Sequence, residues 1–332
     1  MRIVADENIA FAREFFAPLG ELVLLPGRLI AAADIAAADV LLVRSVTPVN
    51  AALLADSRVR FVGSCTIGTD HVDTAWLDAH SIAFAHAPGC NARAVVEYVL
   101  SSLLALGVDM LASRIGVVGC GNVGGQLLRC LQQAGAQVVG CDPFLKDTAL
   151  PLVPFEQVLT REVICLHTPL TRSGPHPTFH LFDEAVIASL SPGTVLLNAG
   201  RGAVIDNAAL LRRLQQRSDL RVVLDVWENE PAIDGGLLDQ VAIGTPHIAG
   251  YSAEGKLRGT RMVYEALCRF LGVDPADVAV GLAGIVEPYD VGVDDAALRQ
   301  AYPASGAQGF DRLRRDYRAR RECPVPVGRV TL

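Results

Sequence analysis

Between Ile115 and Asp142 the sequence reads IGVVGCGNVGGQLLRCLQQAGAQVVGCD. A β-branched run leads into Gly119, Gly121 and Gly124, then into a stretch of helical period and a second β-branched run that ends in an aspartate. Each glycine has a physical reason. The first permits a tight turn, the second lets a pyrophosphate approach the backbone, and the third lets helix and strand pack closely. N–H groups at the head of the helix, around Asn122 and Val123, would then face the phosphates. A tight glycine turn alone would account for the glycines. The second strand adds more, placing Asp142 at the spacing, about twenty residues on, where a carboxylate accepts from an adenosine ribose. Its charge repels a 2′-phosphate, so the stretch predicts NAD as cofactor rather than NADP. No metal site is expected.

Short apolar runs alternate with helix-like stretches on both sides of this loop. RIVAD, ELVLL, VLLVRS, VRFVGSC and SIAFAHA read as strands of a first series, with candidate helices at Ile9–Leu19, Ala31–Ala38 and His71–Ala79. A long helix from Ala92 to about Leu106 precedes a second series, RIGVVG, AQVVGCD, EVICLH, TVLLNAG, RVVLDVW and VAIGTP. A last helix spans Ala253 to about Leu271. Alternation of this kind predicts α/β architecture, with two doubly wound parallel sheets covered by helices on both faces.

Composition narrows the partners. The net charge of −7 argues against a general polyanion-binding surface, so any phosphate binding is local. None of the eight cysteines forms a C-x-x-C pair, and several sit in strand-like runs, which suits a reducing cytoplasmic setting. No apolar run reaches membrane-span length, and MRIVADENIAFAREFF does not resemble a signal peptide. Nucleic acid and membrane are therefore not expected as partners. Only two of the 29 basic residues are lysine.

Three further segments carry chemistry. NAGRGAVIDNAAL places Arg201 just past a buried strand, before a helix that Asp206 would cap. LDVWENEP places Asp225 and Glu230 at and after the next strand, and TPHIAGYS places His247 after the last. All lie beyond the carboxyl ends of parallel strands, where open α/β sheets bind ligands. Singly they read as a surface guanidinium, a solvated carboxylate and a loop histidine. Together they supply what hydride transfer at a 2-hydroxy acid needs: a cation for the carboxylate, a base for the hydroxyl proton and an anion to hold that base.

These segments, with the glycine loop, resemble the NAD-binding domain of the D-isomer-specific 2-hydroxyacid dehydrogenases. APGCNARAVVEYVLSSLLAL is similar to that family's crossover helix, and GTDHVD to a turn of its first domain. The resemblance implies a discontinuous flavodoxin-like substrate domain over residues 1–90 and 251–273, and a Rossmann NAD domain over 91–250, with the cofactor cleft between them. It also implies that Arg201 binds the substrate carboxylate, His247 exchanges the proton and Glu230 pairs with His247. A carboxylate beside an imidazolium favours the charged form and fixes the tautomer. Ala199, Gly200, Arg201, Thr168 and Asp225 would lie at the cofactor, with Asp142 on the ribose.

A narrower resemblance follows from the opening MRIVADENIAFAREFF, from LLVRSVTPVN, and from GTDHVD taken with APGCNA and TPHIAGYSAEGKLRGT. It points to a branch of the family acting on a phosphorylated four-carbon 2-hydroxy acid. Ser45, Thr66 and Tyr251 would be substrate contacts there, and Gly250 would approach the cofactor. That branch carries a C-terminal α/β dimerisation domain, which EPYDVGVDDAALRQ and FDRLRRDYRARRE resemble in part. Over 274–332 the region is shortened, with an early strand missing, and a homodimer is expected. Phe310, Leu313 and Tyr317 fall on one helical face among Arg312, Arg314, Arg315, Arg318, Arg320 and Arg321, the pattern of a solvated interface helix. The alternatives are a 3-phosphoglycerate or general 2-oxoacid reductase, and an NAD(H)-binding corepressor of the same fold.

Overall fold

The computed structural model describes residues 1–146, 148–280, 282, 296–317, 320–323 and 330, and it divides into two compact units. The first holds residues 1–91 and the chain from Ser252 onward through the following helix. Its strands are β1 (Arg2–Asp6), β2 (Glu21–Leu25), β3 (Val40–Val43), β4 (Phe61–Ser64) and β5 (Ala83–His86), all parallel, in the order β2-β1-β3-β4-β5. That is the flavodoxin-like order. VLLV and FVGS are buried at every position, as expected of strands covered on both faces. The helix Ala253–Leu271 returns to this unit, where Val263, Tyr264 and Leu267 join Ile3, Leu42 and Phe61 in one apolar cluster. Ser252 caps it by accepting the Gly255 N–H at 2.9 Å, a contact worth about 1 kcal/mol.

Helices of the first unit are shorter than the apolar pattern suggests. The expected Ile9–Leu19 helix is Ala12–Phe16 followed by a 3-10 turn, Ala17–Leu19, with Pro18 inside it. The alanine-rich 31–38 stretch forms only Ala32–Ile35, since the chain must enter β3 at Val40. The helix expected from His71 starts at Thr74, because the Asp73 carboxylate accepts the Trp76 N–H at 3.0 Å and sets the first turn there.

The second unit holds Ala92–Tyr251 and the described C-terminal residues. Its six parallel strands are β6 (Arg114–Val118), β7 (Gln137–Cys141), β8 (Val163–Leu166), β9 (Val195–Asn198), β10 (Arg221–Leu224) and β11 (Ile243–Gly244), in the order β11-β10-β9-β8-β6-β7. Beyond β7 a single parallel bridge, Gly140 to Leu152, stands where a dinucleotide fold has its third strand. Strand order reverses between β6 and β8, and ligands bind at the carboxyl ends flanking such a reversal.

The helix Ala296–Arg315 packs on this unit, with Leu298 and Phe310 in the same cluster as Trp227, Leu237 and Leu238. The solvated-helix expectation holds for Arg312 and Arg315, which are exposed. It fails for Arg314 and Arg320, which are half-buried, and Tyr317 lies past the end of the helix. Residues 287–295, Arg318 and the GRVTL end other than Val330, on which part of the dimerisation reading rests, lie outside the described residues. Among the described residues no helix is long and apolar enough to cross a membrane.

Candidate active site

In the second unit the glycine loop follows β6. Gly119 adopts φ 84°, a left-handed conformation that favours glycine, and a Cβ on Gly124 would overlap the Gly119 carbonyl. Around Gly121 nothing lies within 4 Å of where a side chain would start, so the backbone there is open to a ligand. Asp142 is fixed at the rim: its carboxylate accepts the Cys120 N–H at 2.9 Å and the Phe144 N–H at 3.0 Å.

Across the loop, the Thr168 hydroxyl and both ring nitrogens of His167 are buried without a hydrogen-bond partner among the described residues. Burial pushes the His167 pKa down to about 4, so the ring is neutral. Each such orphan costs about 1–3 kcal/mol unless something pairs with it. An open glycine backbone, a carboxylate fixed at its rim and buried polar groups with capacity to spare fit a bound dinucleotide.

At the end of β9 the backbone is clamped by one side chain. Asn198 donates to the Arg201 carbonyl at 2.9 Å and accepts the Gly200 N–H at 3.0 Å, with Ala199 between. Arg201, half-buried, donates from Nη1 to the Gly200 carbonyl at 2.9 Å. Asp206 caps the next helix, Asn207–Arg217, by accepting the Ala209 N–H at 2.9 Å.

Glu230 and His247 meet beyond β10 and β11. Glu230 accepts the Trp227 N–H at 2.8 Å through one oxygen and the His247 Nδ1–H at 2.7 Å through the other. Burial opposes ionisation of Glu230, but the charge and hydrogen bond of His247, with the charge of Arg314, outweigh it and hold the carboxyl below its ordinary 4.5. An ionised carboxylate only accepts, so Nδ1 carries the proton and Nε2 is the ring nitrogen able to accept. The imidazole side chain remains 31% exposed, enough for a ligand to reach it.

The loop that carries His247 is set by Asp225. His247 has φ 57°, and its N–H donates to the Asp225 carbonyl at 2.8 Å. The buried Asp225 carboxylate accepts from Thr245 Oγ1 at 2.6 Å, Ile248 N at 2.7 Å and Ala249 N at 2.9 Å. Burial raises its pKa, against the pull of His247 and those donors. Thr245 spends its proton on Asp225, so it accepts from the Tyr98 hydroxyl at 2.7 Å. The sequence places Asp225 at the cofactor; in the structure its carboxylate also holds the loop. Gly250 and Tyr251 follow, both half-buried, and the Tyr251 hydroxyl accepts from Arg314 Nε at 3.2 Å.

The first unit holds Ser45 and Thr66. Ser45 is exposed just past β3, beside Arg44, which pairs with Asp6 at 3.0 Å. Thr66 follows β4 and shares a hydrogen bond with Ser64 at 2.9 Å. In the same unit Lys256 has its pKa lowered by burial and by the charge of Arg44. Lys256 has no role in the sequence reading, and Arg314 and Arg320 enter it only as part of a solvated helix. For Lys256 a signal existed, since it is one of two lysines in an arginine-rich chain. For the arginines none did, because their neighbours lie far off in the sequence.

One grouping of potential metal ligands occurs among the described residues: His180, Asp206 and Glu228. Its carboxylates are already engaged. His180 Nε2 lies 2.8 Å from Glu228, whose other oxygen accepts the Asn207 N–H, and Asp206 caps the same helix. The set reads as a helix cap.

Residues 95–249 match the family model of the D-isomer specific 2-hydroxyacid dehydrogenase NAD-binding domain, and residues 282–325 match a domain of unknown function (DUF3410). The chain is 52% identical to an erythronate-4-phosphate dehydrogenase of Cellvibrio japonicus, over 97% of this chain and 93% of that protein. It is 49% identical, with the same coverage, to one of Azotobacter vinelandii. Among solved structures, NAD-bound 3-phosphoglycerate dehydrogenase of Entamoeba histolytica aligns with a TM-score of 0.71 at 23% identity, covering 85% of this chain and 98% of that one. D-lactate dehydrogenase of Aquifex aeolicus, complexed with NAD and lactic acid, gives 0.69 at 21% identity, covering 82% and 96%. Those two likenesses show a shared fold.

Proposed function

The chain belongs to the erythronate-4-phosphate dehydrogenases of the D-isomer-specific 2-hydroxyacid dehydrogenase family, and from that premise we propose the reaction it catalyses. It oxidises 4-phospho-D-erythronate at C2 to (R)-3-hydroxy-2-oxo-4-phosphobutanoate, with NAD as cofactor, as a step of pyridoxal phosphate synthesis. The observation that carries this reading is the Glu230–His247 pair at 2.7 Å, with Nδ1 taken and Nε2 left for substrate.

NAD, when bound, accepts the hydride that leaves C2. His247 Nε2 takes the proton of the C2 hydroxyl, so one 2-hydroxy acid gives one 2-oxo acid, one NADH and one proton. Glu230 stabilises the imidazolium that forms and keeps the ring in the tautomer that makes Nε2 the acceptor. Arg201, on the adjacent strand end, holds the substrate carboxylate through charge-assisted hydrogen bonds. Thr168 and the Gly119–Gly124 loop serve the dinucleotide, and Asp142 the ribose. The assignment of Ser45, Thr66 and Tyr251 to the substrate rests on the family resemblance and on their hydroxyls. A homodimer in the cytoplasm is the setting we infer; all eight cysteines are free thiols, in keeping with a reducing compartment.

Incubation of the protein with NAD and 4-phospho-D-erythronate, with the 2-oxo acid trapped by a hydrazine reagent, tests the reaction. One trapped 2-oxo acid per NADH is expected. NADH formation without a 2-oxo acid, or neither product, overturns it.

A further inference from the structure

The described C-terminal residues also hold the loop that carries His247. Their anchor is Glu97 on the helix Ala92–Ala105, a carboxylate with no exposed side chain. It accepts from Cys323 N at 2.7 Å, from Arg320 Nη1 at 3.1 Å and from Arg93 Nε at 3.3 Å, while Arg93 also donates to the Cys323 carbonyl. Arg320 is therefore pinned at one nitrogen. Its other terminal nitrogen donates to two carbonyls, Ala94 at 3.0 Å and Ala249 at 2.7 Å.

Ala249 lies two residues after His247, and its N–H is the group that Asp225 holds. One peptide segment is thus clamped at its N–H by a carboxylate and at its C=O by a guanidinium. Two residues further, Tyr251 is held twice more. Arg314 donates to its hydroxyl, and the Tyr317 ring meets it edge-on, with centroids 6.0 Å apart and planes at 88°.

We propose, resting on the reading of His247 as the proton-exchanging base, that the C-terminal segment is a brace for the catalytic loop, with Arg320 and Arg314 as positioning residues. Arg320 fixes the height of Ala249 and so the direction of His247 Nε2. Arg314 fixes the Tyr251 phenol. The segment that matches a domain of unknown function thereby acquires a role within its own chain. An arginine is required at 320 because its planar fork reaches Glu97 and two carbonyls at once, which a lysine ammonium does not.

Arg320→Met and Arg320→Lys test this in the full-length protein, by steady-state kinetics, NADH titration and thermal unfolding. Both should lower kcat between about 10- and 100-fold, the scale of a misplacement near 1 Å, with NADH affinity within about twofold of wild type. Hydrogen exchange in the peptide spanning 246–252 should quicken, while exchange across the glycine loop stays unchanged. Glu97→Gln, which keeps an acceptor for Cys323 N, should move the same readouts in the same direction by less. A lowered Tm with unchanged kcat below the transition, or unchanged exchange in 246–252, overturns the brace. Should Arg320→Met fail to fold, Arg320→Lys and Glu97→Gln decide it by the same measures. Kinetics are read on whichever 2-oxo acid the wild type reduces fastest, so failure of the substrate assignment leaves this test standing.

Discussion

His247 and Glu230 are joined at 2.7 Å, and the second carboxylate oxygen of Glu230 is held by the Trp227 N–H at 2.8 Å, so neither partner of the pair turns freely. That fixed geometry makes the pH dependence of turnover a signed prediction. With His247 as the proposed proton exchanger, reduction of a 2-oxo acid needs its protonated form. Without the carboxylate the imidazolium loses its counter-charge, so the required acid is lost earlier as pH rises. Glu230→Gln should therefore move the pH–rate profile of reduction to lower pH, and His247→Asn should lower kcat by about 10²–10⁴ at every pH. A profile that stays in place removes Glu230 from its role.

Asp142, proposed above as the ribose acceptor, accepts two backbone N–H groups. NAD(H) should bind at least about tenfold better than NADP(H), about 1.4 kcal/mol. Asp142→Asn keeps an acceptor for Cys120 and removes the charge, so it should narrow the preference without abolishing NADH binding. Equal affinities for both cofactors in the wild type, by fluorescence titration, would refute the assignment.

Glu97 is raised above the ordinary carboxyl value of 4.5 by burial, although Cys323, Arg320 and Arg93 pull the other way. The folded chain therefore holds this proton more firmly than the unfolded chain. Its contribution to stability is full below the unfolded value and is lost as pH rises through the folded one. The Tm of wild type minus that of Glu97→Gln should fall as pH rises above the ordinary carboxyl value. A difference that grows with pH would mean that the folded state favours the carboxylate instead.

Much of this was legible in the sequence, for identifiable reasons. The glycine loop, the strand ends carrying Arg201, Glu230 and His247, and the helix Ala253–Leu271 are local patterns, and local patterns survive folding. The helices of the first unit are shorter than their apolar period indicates, because that period says nothing about a cap such as Asp73 or about the distance to the next strand. Asp225 was read by its place after a strand. Its three-way hold on Thr245, Ile248 and Ala249 depends on burial, which sequence does not display. The arginines at 314 and 320 were read as a solvated face, since their partners Tyr251, Ala249 and Glu97 lie 63 to 223 positions away.

Tyr251 and Ser45 are proposed above as substrate contacts through their hydroxyls. A lost hydrogen bond to a buried polar partner costs about 1–3 kcal/mol, so Tyr251→Phe and Ser45→Ala should each erode the preference for a phosphorylated acid by about 5- to 150-fold. Turnover of unphosphorylated 2-oxo acids should change less. Equal loss with all substrates would make Tyr251 a packing residue against Tyr317.

The substrate assignment is decided by kcat/KM for 4-phospho-D-erythronate, 3-phosphoglycerate and D-lactate, each with saturating NAD and read at the NADH absorbance. A buried site built for specific polar groups rejects analogues that leave those groups unpaired, so 4-phospho-D-erythronate should lead by a factor of about 10² or more. A lead for 3-phosphoglycerate or D-lactate would contradict the substrate assignment and leave only a 2-hydroxyacid dehydrogenase of other specificity. No turnover of any of the three, with NADH still bound, would contradict the enzyme itself.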